Sequence, residues 1–129
     1  GATPTPATTI VKNFGSSHAR LVRNALGGIF FKARNPQKLG AWYRKHLGLP
    51  VDDQWHGFSF EWRDARKPGQ KGCTVWSAFA ADTKYFGRGR QGHMINYRVG
   101  NLKKVLAQLK AEGVWVDPKS EESEYGKFG

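Results

Sequence analysis

The chain holds a single cysteine, Cys73, and a single methionine, Met94, in 129 residues. One thiol excludes an internal disulfide framework and any zinc cluster built on cysteine pairs. No apolar run approaches the ~18 residues that span a bilayer. The Ala/Thr/Pro-rich start lacks the apolar middle of a secretion signal, so a cytoplasmic protein without a membrane partner is the expectation. Acidic residues are scarce as well: 10 Asp+Glu against 21 Lys+Arg give a formal net charge of +11, a field that draws polyanions and anionic ligands. GxSxG, GxxxxGK[ST] and GxGxxG are absent, which removes the usual serine-hydrolase and phosphate-loop chemistries.

What is present argues for a folded chain. Five Trp and eight Phe supply enough large apolar side chains for a core, against general disorder. The basic residues are dispersed. Arg63, Arg66, Lys67 and Lys71 crowd a segment that also carries Pro68, Gly69 and Gly72, and Arg88 and Arg90 lie in GRGRQG. Both segments read as solvated loops, with a polyanion site as the competing reading.

Residues 1–27 form an N-terminal extension: an unpaired start, a strand over Thr8 to Phe14, then one or two helical turns opened by Ser16 or Ser17. From Gly28 the pattern sharpens. Ile29, Phe31 and Ala33 alternate with Phe30, Lys32 and Arg34, the period of a strand. Asn35 caps a helix, Pro36 suits its first position and Gly48 ends it. FSFEW (58–62) and CTVWSAF (73–79) read as strands. The same grammar returns 66 residues later: the strand Met94 to Val99, the cap Asn101, a helix bearing Leu102, Val105, Leu106 and Leu109, the terminator Gly113, and a strand over Val114 to Val116. The halves, 28–79 and 93–129, read as copies of a βαβββ unit in one α+β domain over 28–129.

This duplication, with ARNPQKLGAWYRKHLGLPV in one half and INYRVGNLKKVLAQLKAEGVWVD in the other, resembles the vicinal oxygen chelate superfamily of glyoxalases, bleomycin-resistance proteins and extradiol dioxygenases. AWYRKHLGL, FEWRD, TVWSAF, MINYRV and EYGKF are similar to its small glyoxalase-like members of unassigned function. The resemblance implies two βαβββ modules forming a curved mixed sheet around a cleft, usually completed in a homodimer. It implies four metal-ligand positions, on the first and last strand of each module. Three of these fall on Gly28, Val75 (or its neighbour Trp76) and Met94, none a useful ligand. The fourth belongs to a last strand that module two lacks, and the N-terminal strand, a partner's strand or a shortened tail are three ways to account for it. The expectation is no metal and no cofactor.

Strand alternation sets Phe30, Lys32, Val75, Ser77, Met94, Asn96 and Arg98 on the cleft wall. Of FSFEW, either the aromatics or the pair Ser59 and Glu61 point inward. Lys32 and Arg98 are candidate grips for a carboxylate or phosphate, against a rim or ion-pair role. Glu61 is a candidate base, against a structural ion pair, and His93 a candidate proton shuttle, against an exposed loop histidine. Tyr85 and Phe86 form either a lid or a loop anchor. The leading expectation is a metal-independent protein binding an anionic or aromatic small molecule as a homodimer. A lyase, isomerase or dioxygenase-like enzyme using Glu61, His93 or Tyr97 is the first alternative, and a basic nucleic-acid-associated protein the second.

Overall fold

The computed structural model describes residues 8–13, 22–87, 89–123 and 126–129. Phe14, the caps Ser16 and Ser17, and Arg88 lie outside them. The chain is α+β, with two helices and a mixed sheet. Its strands are β1 (Thr8–Asn13), β2 (Val22–Ala33), β3 (Gly57–Arg63), β4 (Lys71–Ala80), β5 (His93–Val99), β6 (Glu121–Ser123) and β7 (Gly126–Phe128). The helices are α1 (Pro36–Leu47), between β2 and β3, and α2 (Leu102–Ala111), between β5 and β6. Two compact units emerge, one built on Gly28–Ile95 and the other on Thr9–Gly27 with Asn96–Gly129.

In unit one the order is β3-β4-β2. β2 and β4 are parallel, with Gly28 opposite Val75 and Ala33 opposite Ala80. β4 and β3 are antiparallel, with Gly57 opposite Ser77 and Arg63 opposite Lys71. α1 is the crossover that parallel pairing requires. Its Asn35 side chain accepts a hydrogen bond from Lys38 N–H at 2.9 Å, and Gly48 closes it at φ 66°, a left-handed turn that glycine adopts without steric cost.

Among the described residues, α1 is followed by two strands, β3 and β4, before β5 begins, not by the three of a βαβββ unit. Instead of pairing, the residues after α1 are held on the helix. Val51 packs against Gly40, where a Cβ would stand 3.0 Å from its Cγ1. Arg44 donates to the Val51 carbonyl at 2.7 Å and pairs with Asp53 at 2.8 Å. Module one is therefore βαββ among the described residues, not βαβββ.

In unit two the order is β2-β5-β1-β7-β6. β1 and β7 are antiparallel, with Lys12 opposite Phe128, and so are β7 and β6. Val99, Leu102 and Val105 are buried together, with Leu106 and Leu109 against them, so the apolar stripe of α2 covers its strand. Asn101 accepts from Lys104 N–H at 3.0 Å, the counterpart of the Asn35 cap. Two sequence expectations change here. The helix expected before Gly28 gives way at Val22 to strand, because the chain there extends β2. Residues 114–116 form no strand. β1 lies between β5 and β7, where the account that invokes the N-terminal strand expects it.

Candidate functional site

Side chains directly opposite each other in a ladder share a face, so the register of unit one sorts its residues. Trp76 is opposite both Ile29 and Phe58. That face meets α1, for the Trp76 ring lies 4.8 Å from Tyr43, 4.9 Å from Phe31 and 5.4 Å from Phe58. Trp62 Nε1 donates to Thr74 Oγ1 at 3.0 Å on the same side. The aromatics of FSFEW thus belong to the helix face. Ser59 and Glu61 fall on the other, with Gly28, Phe30 and Lys32 of β2 and with Val75, Ser77 and Phe79 of β4.

This second face carries an aromatic cluster centred on Phe79. Its ring lies 5.2 Å from Phe30, 5.3 Å from Phe86 and 5.5 Å from Tyr85, the last with planes only 4° apart. Such pairs add roughly 0.5–1.5 kcal/mol each beyond simple burial. Tyr85 and Phe86 come from the loop between β4 and β5. Phe86, 2% exposed, is the loop's anchor, and Tyr85, 41% exposed, covers Phe79. Lys32 Nζ stands 5.5 Å from the centre of the Phe86 ring, within cation–π range, and Lys32 N–H donates to the Gly92 carbonyl at 2.8 Å. One residue of the sheet thus ties down the loop's far end and sets a cation beside its aromatic anchor.

Of the residues picked from the sequence, Phe30, Lys32 and Val75 are half-buried on this face, and Glu61 is exposed at its β3 side. Ser77 and Met94 are buried, and Ser77 Oγ donates to the Trp55 carbonyl at 3.3 Å. His93 is exposed at the start of β5. In unit two, Asn96 and Arg98 are among its most buried polar residues. Gly27 admits them: a Cβ there would lie 3.5 Å from Arg98 Cγ and from the Asn96 carbonyl oxygen. Asn96 Oδ1 is buried and accepts no hydrogen bond among the described residues. Phe79 did not stand out in the sequence; its place two residues beyond Ser77, at strand period from Val75, was the available signal.

Two of the three positions that the resemblance assigns to metal ligands are neighbours, since Gly28 is directly opposite Val75. Hydrogen and isopropyl side chains donate nothing to an ion. Among the described residues, no three His, Cys, Asp or Glu side chains gather where they could hold a metal. No protein-family model, curated protein or solved structure matches the chain.

Proposed function

We propose that this chain is a metal-independent small-molecule-binding protein of the glyoxalase/bleomycin-resistance type, taking a planar anionic ligand on the face of unit one opposite α1. The observation that carries the reading is the aromatic cluster of Phe30, Phe79 and Tyr85 beside the Lys32 ammonium. Apolar ring surface supplies affinity for a flat molecule, and a few polar groups orient it. Lys32 supplies a cation to one edge of such a ligand, and Ser59 and Glu61 line the other side of the same face. The net charge of +11 raises the local concentration of anions before contact.

The module order supports the family reading. In unit one the first strand of the module, β2, lies parallel beside its last, β4, with β3 beyond. In unit two the first strand, β5, is followed in order by β1, β7 and β6, so β1 takes the place that β4 has in unit one. The metal of that family does not fit this donor set. On this reading Gly28, Val75 and Met94 would stand at three of its positions, and the strand in the fourth place reads TTIVKN. Whatever its register, that strand offers no imidazole, thiolate or carboxylate.

Titrating isotopically labelled protein with 2-naphthoate, and with a naphthylmethylammonium of the same ring size, tests the proposal. Amide shifts at Phe30, Val75 and Phe79 are expected with the carboxylate, and Lys32→Met removes the preference for it over the cation. Shifts confined to the basic loop 63–72, or a stoichiometric metal by elemental analysis, would refute the reading.

A further inference from the structure

β3 ends the strand order of unit one, and among the described residues no strand pairs along its far side. The ladder with β4 fixes which backbone groups turn outward. Ala78 N–H donates to the His56 carbonyl at 3.0 Å, and Asp64 N–H to the Gln70 carbonyl at 2.9 Å. Bonded and non-bonded pairs alternate in an antiparallel ladder. Phe58, Phe60 and Trp62 therefore turn their N–H and C=O toward β4, and Ser59, Glu61 and Arg63 turn theirs to the open side. The outward carbonyl of Gly57 accepts from Asp52 N–H at 2.9 Å, which closes the first end of this edge.

We propose that the open edge joins a second copy of this chain, the two β3 strands running antiparallel about a two-fold axis at Phe60. A row of outward N–H and C=O groups is complemented by another strand, and three features make that strand a copy of β3. First, the edge has oppositely charged ends. Asp52 stands beside Gly57 at its start, and Arg63, Arg66 and Lys67, partly offset by the Asp64 carboxylate on which the Arg66 and Lys67 N–H groups sit, follow at its end. A two-fold axis carries each basic end to the acidic end of the other copy. Second, Phe60 at the middle is 47% exposed, and this register sets it against its own counterpart, with Phe58 against Trp62 on either side. Third, Ser59 lies opposite Glu61 twice, and each such outward pair exchanges two backbone hydrogen bonds, about four in all.

The neighbouring registers are worse. An axis at Glu61 opposes two carboxylates directly. An axis at Trp62 sets each Arg63 opposite the other copy's Glu61 but overlaps only residues 61–63 of the two strands, whereas an axis at Phe60 overlaps the whole of Gly57–Arg63. This inference does not rest on the ligand reading: it uses the backbone groups of Ser59 and Glu61 and not their side chains, and neither Phe79 nor Lys32 takes part in it.

Sedimentation of the full chain against concentration tests it, with circular dichroism as the control for folding. The wild-type chain is expected to dimerise. Glu61→Pro deletes one outward N–H without touching the ladder to β4, a place where a strand tolerates proline, and shifts the chain to monomer with its spectrum kept. Phe60→Glu does the same through charge, without altering the backbone, and decides the matter if Glu61→Pro fails to fold. A wild-type chain that stays monomeric at every concentration overturns the proposal, as does a folded Glu61→Pro or Phe60→Glu variant that still dimerises.

Discussion

Removing the Phe79 ring should loosen the loop that covers the candidate site before it unfolds the protein. The ring touches Phe30, Tyr85 and Phe86 within 5.2–5.5 Å, and two of those partners are the loop's own attachments. Burying a phenyl ring completely and then truncating it costs roughly 3–5 kcal/mol. Phe79 is half-buried, so Phe79→Ala should cost about 2–3 kcal/mol. For a chain of this size that is a fall in Tm of about 6–15 °C. Because the lost contacts concentrate on the loop, local opening should come first. Trypsin should therefore cut after Lys84 and Arg90 well below the global melt, faster in the variant than in the wild type. Tyr85→Ala, which truncates a ring already partly in water, should accelerate cleavage with a smaller change in Tm. If Phe79→Ala melts like the wild type and its loop resists trypsin equally, the cluster does not hold the loop and the argument for a shaped aromatic face fails.

The two helix caps should behave alike. Asn35→Ala and Asn101→Ala each remove a bond of 2.9–3.0 Å to the third helical residue and should each lower stability by about 1 kcal/mol in urea titrations, with Asp at either position nearly neutral; a cap substitution without effect would contradict the assignment of that helix start. Deleting residues 1–13 removes β1 from between β5 and β7 and leaves two strand edges open, so the shortened chain should aggregate or lose its cooperative melt. An unchanged melting curve would show that β1 is dispensable.

Much of the fold was legible because its signals are local. Asn35, Pro36 and Gly48 mark one helix by side-chain bonding, a preset φ and freedom to turn left-handed, and Asn101 does the same for the other. Alternation along Ile29–Ala33 and across FSFEW located the strands and, through β2, the face that now carries Phe30 and Lys32. The misreadings share a cause. Val22–Leu26 looks helical alone but continues a strand that has neighbours in the sheet, and tertiary pairing overrides propensity. Val114–Val116 has the β-branched and aromatic content of a strand without becoming one. Val51 follows the helix rather than the sheet because Gly40 leaves room for it and Arg44 holds its carbonyl, contacts between residues that no short window compares.

The sequence by itself determined the helices, their caps, most of the strands and the repeated strand–cap–helix order. Each of these depends on side-chain identity and spacing within a dozen residues. Only the tertiary structure decided that β1 fills the place between β5 and β7, that Phe79 gathers Phe30, Tyr85 and Phe86, and that β3 is left with an open edge. Strand partners are chosen by hydrogen bonding and burial between segments far apart in the chain, and the entropy of bringing them together leaves no mark on either segment alone.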